Sequence, residues 1–368
     1  FTYTVRGTVL IGLGKDGKSM YPGASKQVMQ ARSTSDSTNR PAFGTVLAST
    51  MALAAWRDGQ WSPQELRKYG PIELSPAIHG LHYGSTCFEG FKAYRHADGS
   101  VHIFRMARHI ERMRRSAEAL ILPEPDPQLL ASMVTTLIDR VRADVPEAPG
   151  ALYLRPLLFG TMANIGAAAT PSTEACLVVL ASPVWDYFAG GIRPLKILVE
   201  EQAQRCAPHL GMVKTGGNYA AAMGPTLAAR KAYGIDQVLF CPGGEVQETG
   251  ASNFLLIRPG HILTRSLDPS FLHGVTRDSL LTLARDLGYR VEERVFSVDE
   301  MMDWVHTGEA ALSGTAAVLS GVGTLVRNGN EHPVADGHVG PETLKLRAAL
   351  VAIQQGTAPD SHGWLTRV

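Results

Sequence analysis

Gly211-Met212-Val213-Lys214-Thr215-Gly216-Gly217-Asn218-Tyr219 sets one lysine among uncharged neighbours. From Leu210 to Met223 no other charged residue occurs. An ammonium taken out of water in such surroundings loses part of its preference for charge and becomes a nucleophile toward carbonyls. Pyridoxal phosphate is a carbonyl cofactor that enzymes hold on a lysine in this way. Gly216-Gly217 would let the backbone pass close beneath a flat ligand, with Asn218 and Tyr219 offering polar groups on the same side. The same letters also fit a surface turn with one solvated lysine, and the segment alone does not separate the two.

Composition narrows the field. At 368 residues with 45% hydrophobic content the chain can bury a sizeable core, and its length makes two domains the natural expectation. A formal net charge of +1 argues against nucleic acid or an anionic membrane as the main partner, so any polyanion it binds should be small. Cys87, Cys176, Cys206 and Cys241 lack CxxC or CxxH spacing. That pattern predicts reduced thiols in a cytoplasmic protein, with neither a disulfide framework nor a metal site. No apolar run is long enough to span a bilayer, and the short stretch Thr8 to Leu13 has no convincing cleavage site, so no signal peptide is expected.

Residues 1–40 are rich in Gly, Ser, Lys and Thr and are expected to form a disordered leader. Residues 41–181 read as a smaller N-terminal α+β domain, 182–194 as a connector carrying Trp185, Tyr187 and Phe188, and 195–368 as a larger C-terminal α+β domain. In the first half, Ile110, Met113, Ala117 and Leu120 recur at helical spacing. Arg108, Arg112 and Arg115 then lie off the apolar stripe, on a face expected to be solvated unless one of them turns inward to a phosphate. Ala151 to Phe159 reads as a strand with Arg155 inside it. A charge there either faces an anion-binding pocket or sits in a buried ion pair.

Beyond the lysine, Ala220 to Tyr233 reads as a helix with Gly224-Pro225 as a kink or a delayed start. Gln237 to Thr264 has the turn signals of an antiparallel meander. Thr276 is expected to cap a helix carrying Leu280, Ala284 and Leu287. Its glycine-led entry fits either a phosphate site or an ordinary capped helix. Strands and helices recur in both halves with hairpin signals too dense for an all-parallel sheet, which is α+β in character.

Pyridoxal phosphate chemistry needs a lysine, an acid at the pyridine nitrogen, a phosphate cup, a group near the ring hydroxyl and a carboxylate site for the substrate. Candidates for all five occur in ordered motifs: Leu81-His82-Tyr83-Gly84 with Phe88-Glu89-Gly90, Tyr153-Leu154-Arg155-Pro156, Lys214 to Tyr219, Glu248-Thr249-Gly250-Ala251-Ser252-Asn253, Gly274-Val275-Thr276-Arg277, and Ser313-Gly314-Thr315-Ala316. In that order they resemble the branched-chain amino-acid aminotransferases, over roughly residues 70 to 355.

The resemblance implies the D-amino-acid-aminotransferase-like fold, fold type IV of pyridoxal phosphate enzymes, in two domains. It implies that Lys214 carries the cofactor and shuttles the proton, that Glu248 bonds the pyridine nitrogen and that Tyr219 meets the ring hydroxyl. Arg112, the N–H groups of Val275 and Thr276, and Thr315 would bind the phosphate. Thr315, Ala316 and Tyr153 would take the substrate α-carboxylate. Phe88, Tyr83 and the connector aromatics would wall an apolar pocket for leucine, isoleucine or valine, and Arg155 would take the distal carboxylate of glutamate or 2-oxoglutarate. A homodimer is implied, with the active site near the subunit interface. Ala317 and Ser320 stand where mammalian members carry a redox-active CxxC, so thiol control of that type is not expected. D-amino-acid aminotransferase, 4-amino-4-deoxychorismate lyase and a pyridoxal phosphate carrier without turnover are the rival readings. Tyr153 with Arg155, the long connector and the chain length favour the branched-chain one.

Overall fold

The computed structural model describes residues 41–185 and 192–368. The expected leader, and Tyr187 and Phe188 of the connector, lie outside the described residues. Two nine-stranded sheets are built from the rest.

The first sheet centres on Ala151–Gly160 and Ala175–Val184, paired antiparallel from Ala151 opposite Val184 to Gly160 opposite Ala175. Thr50–Arg57 extends it on one side, and Phe91–Arg95 followed by Val101–Phe104 on the other. Helices Met106–Ala119 and Pro127–Arg140 cover it. Met113, Ala117, Leu130, Met133 and Leu137 fill the interface, and each large side chain buried there contributes about 1.5–3 kcal/mol. Asp126 caps the second helix by accepting from Leu129 N at 2.7 Å, with Pro127 in the first turn where its missing N–H costs nothing.

The second sheet is mixed. Leu195–Glu200 runs parallel to both Gln237–Phe240 and Val318–Arg327, whereas Glu309–Gly314 is antiparallel to Asn253–Arg258 and to Val318–Arg327. Strand periodicity assigns the faces: Leu255 and Ile257 pack with helices Val275–Asp286 and Pro341–Gln354, while Phe254 and Leu256 pack with Val298–Val305. The mixed pairing fits the α+β expectation.

Three details differ from the sequence reading. Leu365–Arg367 crosses back to pair with Val101–Phe104 in the first sheet, held by Trp364 against Phe104 at 5.7 Å and under Arg105 at 4.9 Å. Residues 195–368 therefore do not all stay with the second sheet. The helix after Lys214 starts at Gly216 and runs through Pro225 to Tyr233. One residue on from Pro225, Thr226 Oγ1 donates to Ala222 O at 2.7 Å. Gly274, not Thr276, is the N-cap of Val275–Asp286, and Thr276 lies within the first turn.

Candidate active site

A cavity of about 540 Å³ opens where the two sheets meet, with Phe88, Tyr153 and Arg155 from the first and Glu248, Leu312 and Ser313 from the second. Lys214 enters from the loop between them. Its backbone is pinned on both sides: Lys214 N donates to Ser116 Oγ at 3.1 Å, and Phe88 N donates to Lys214 O at 3.0 Å. Asn218 Nδ2 ties the loop together through Leu210 O and Val213 O at 2.8 and 2.9 Å. At Gly211 any Cβ would meet the Ser270 carbonyl at 2.0 Å, so the loop passes only as glycine. Gly216 and Gly217 meet no such close protein neighbour, and they open the helix. That helix start brings Tyr219 back over the lysine, whose Nζ donates to Tyr219 Oη at 2.7 Å above the Phe88 ring, 5.0 Å from its centroid.

Glu248 is 2% exposed. Asn253 Nδ2 donates to it at 3.1 Å and Leu272 N at 2.9 Å, while Arg205 Nε stands 2.8 Å away without good hydrogen-bond alignment. Burial outweighs the attraction of Arg205 and pushes the carboxyl up to about 7. Arg205 also anchors the lysine loop by donating to Gly211 O at 2.7 Å.

Arg112 is the arginine that turns inward. It is 5% exposed and lines the cavity, whereas Arg108 and Arg115 remain at the surface beside Glu111. Glu89, itself fully buried, holds Arg112 with two hydrogen bonds of 2.6 and 2.9 Å, and His109 Nδ1 lies 2.8 Å from the same carboxylate. Burial works against ionisation of Glu89, yet Arg112 and then His109 outweigh it and hold the carboxyl well below its ordinary range. Val275 and Thr276 line the same end of the cavity in the first helical turn, where unpaired N–H groups and the helix dipole favour an anion.

At the other end Arg155 Nη2 donates to Tyr153 Oη at 3.0 Å, and its guanidinium lies 4.6 Å from the Phe88 ring centroid. Among the described residues no carboxylate pairs with Arg155, and its Nε is buried without a partner. The ion-pair alternative for this strand charge is thereby removed. Gly90 is required opposite, since a Cβ would come within 1.8 Å of Tyr153 Oη. Thr315 and Ala316 complete the wall, in the turn after Glu309–Gly314.

Tyr83 does not join them. The short helix His79–Tyr83 turns its ring outward against His79, and its hydroxyl donates to Ile165 O. Trp185 lines a smaller cavity of about 90 Å³ behind the Thr315 turn, not the main one. Phe43, Glu89, His109 and Arg205 were given no role from the sequence. Phe43 packs edge-on against Tyr153 at 5.0 Å. Glu89 stands within the Phe88-Glu89-Gly90 motif, but no motif marks its pairing with His109 and Arg112 or that of Arg205 with Glu248, which join residues distant in the chain.

A lysine touching a phenol, a buried acid, a cationic cup at a helix N-terminus and a second arginine without an acid partner form the donor set of an enzyme that holds a phosphorylated carbonyl cofactor and an anionic substrate. The Amino-transferase class IV family matches residues 86–324, and the chain belongs to it. It is 40% identical to a probable branched-chain-amino-acid aminotransferase of Streptomyces coelicolor, over 88% of this chain and 92% of that one. It is 39% identical to the branched-chain-amino-acid aminotransferase of Mycobacterium tuberculosis, over 89% and 92%. Its fold is similar to that of the T.th. branched-chain amino acid aminotransferase with pyridoxamine 5′-phosphate, with a TM-score of 0.70, 28% identity and coverage of 85% and 97%. That protein has also been solved with 4-methylvaleric acid and with N-(5′-phosphopyridoxyl)-L-glutamate, at TM-scores of 0.69 and the same identity and coverage.

Proposed function

We propose that this chain catalyses reversible transfer of the amino group between L-leucine, L-isoleucine or L-valine and 2-oxoglutarate, with pyridoxal 5′-phosphate as cofactor. The observation that carries it is the convergence of Lys214, Glu248, Arg112 and Arg155 on one cavity. The cofactor, when bound, supplies an electron sink for the charge left as the substrate loses its α-proton. Everything else is assigned to the chain. Lys214 Nζ would take that proton from Cα and deliver it to the cofactor's C4′ carbon, steadied by Tyr219 Oη at 2.7 Å. Glu248 holds a proton at the ring nitrogen, a task suited to a carboxyl lifted to about 7. Tyr219 also meets the ring hydroxyl. Arg112, the N–H groups of Val275 and Thr276, and Thr315 hold the phosphate.

Thr315, Ala316 and Tyr153 bind the α-carboxylate, Phe88 meets the aliphatic side chain and Arg155 takes the distal carboxylate of the five-carbon partner. Both kinds of side chain thus use one pocket in turn. A homodimer and a cytoplasmic location belong to the same proposal. Leu81 and Ile165, each 70% exposed beside Tyr83, supply an apolar face for a second copy, and four free cysteines suit a reducing compartment. Among the described residues no helix is long and apolar enough to cross a membrane.

Absorbance of the cofactor-loaded protein tests the reading. L-leucine without keto acid should convert the visible band to the near-ultraviolet pyridoxamine form. A band that leucine leaves unchanged while D-alanine converts it would overturn the substrate assignment.

A further inference from the structure

The turn between Glu309–Gly314 and Val318–Arg327 is strained, and its supports come from elsewhere in the fold. Thr315, Ala316 and Ala317 connect Gly314 to its pairing partner Val318. Val318 has φ 64°, the left-handed region that a β-branched side chain rarely enters. Such conformations persist only where the surroundings impose them.

Two cations supply the constraint. Lys92, buried on strand Phe91–Arg95 of the first sheet, donates from Nζ to Ala316 O at 2.8 Å. Arg347, on helix Pro341–Gln354, donates to the carbonyls on either side of Val318: Ala317 O, and Leu319 O at 3.2 Å. The turn is a partition, for Ala316, Ala317 and Ser320 line both the main cavity and the smaller one on which Lys92 and Arg347 border. Because carbonyl and N–H point opposite ways across a trans peptide, drawing Ala316 O toward Lys92 sends the Ala317 N–H to the other side of the turn.

We propose that Lys92 and Arg347 are positioning residues that brace this turn in the strained form that binds the substrate α-carboxylate. The proposal rests on the assignment of Thr315 and Ala316 to that carboxylate. It extends the site to two residues that touch neither substrate nor cofactor.

Holoenzyme carrying Lys92→Met or Arg347→Met tests it. Each should raise KM for both L-leucine and 2-oxoglutarate, and the Kd of 4-methylvalerate read from the cofactor absorbance, by about tenfold, the loss expected for one charge-assisted hydrogen bond. The value of kcat should stay within about threefold, since the reacting atoms are untouched. Binding of 3-methylbutylamine, which lacks the carboxylate, should not change. Glycine tolerates positive φ, so adding Val318→Gly should shrink the Arg347→Met effect below about threefold, and apoprotein melting temperatures should show the same coupling.

Equal weakening of 4-methylvalerate and 3-methylbutylamine, or no coupling to Val318→Gly, would overturn the bracing. Ala316→Pro separates the two layers by removing an N–H from the turn. If it weakens 4-methylvalerate while the brace variants do not, the carboxylate assignment stands and the bracing fails. If it has no effect either, the assignment itself fails. Should Arg347→Met not fold, Arg347→Lys keeps one donor and is expected to show a smaller shift of the same kind.

Discussion

Glu89 and Glu248 are both buried carboxylates with an arginine beside them, and the fold drives them in opposite directions. Glu89 is held well below the ordinary carboxylate range, while Glu248 is lifted to about 7. Burial opposes ionisation in both, so the difference lies in the donors. Arg112 grips Glu89 through two aligned hydrogen bonds, with His109 behind it. Arg205 reaches Glu248 at one poorly aligned point, and an amide and a backbone N–H supply the rest. Glu89 therefore acts as a fixed counter-charge that aims Arg112, while Glu248 can carry a proton at neutral pH. One arginine site is completed by the protein, and one acid is suited to exchanging a proton with a bound group.

Lys214→Ala tests most severely whether the cavity lined by Glu248 and by Arg112, the partner of Glu89, is where the reaction occurs. Transamination should fall by about 10⁴-fold or more, because both the covalent attachment and the proton shuttle are lost. The melting temperature should barely move for a half-buried loop side chain. Near-normal turnover would detach the whole comparison from catalysis. Glu89→Gln should come next in size, destabilising the apoprotein by about 3–5 kcal/mol in denaturant titration, since it leaves buried Arg112 without its counter-charge. A loss below about 1 kcal/mol would mean that the ion pair does not hold that corner.

The opposite shift of Glu248 sharpens the comparison through pH. Its folded value lies near 7 against an ordinary 4.5, so its contribution to stability is present below about 4.5 and lost as pH rises through about 7. Apoprotein stability should thus fall by about 2–3 kcal/mol from pH 5 to pH 8 relative to Glu248→Gln, which stays neutral throughout. A parallel pH course in the two proteins would show that the carboxyl is not raised.

Local pattern carried much of this into the sequence. The α+β class followed from dense hairpin signals, and the lysine segment, the acid motif and the lone strand arginine led to residues that share one cavity. What stayed hidden depends on long-range packing. Glu89 meets His109 and Arg112 across a strand-to-helix contact, and Arg205 meets Glu248 from another loop, so neither pairing leaves a local trace. Tyr83 carries the right chemistry, yet the orientation of a five-residue helix sends it outward. Leu365–Arg367 is too short to show strand alternation, and only its docking beside Val101–Phe104 makes it a strand.

Arg155 extends the comparison from acids to arginines, and its effect is expected to be the smallest. Arg112 has its carboxylate within the chain, whereas among the described residues Arg155 has only the Tyr153 hydroxyl and two aromatic faces. A cation so placed should reward a ligand that brings a carboxylate and do little for one that does not. Arg155→Leu should therefore lower kcat/KM for 2-oxoglutarate about 10–100-fold, the scale of a lost charged hydrogen bond, while leucine changes by less than about threefold. The leucine value acts as an internal control, because an aliphatic side chain meets Phe88 and the new leucine without needing a charge. An equal loss with both substrates would make Arg155 a structural partner of Tyr153 and erase its contrast with Arg112. A loss confined to 2-oxoglutarate would make that contrast the basis on which one pocket admits two kinds of side chain.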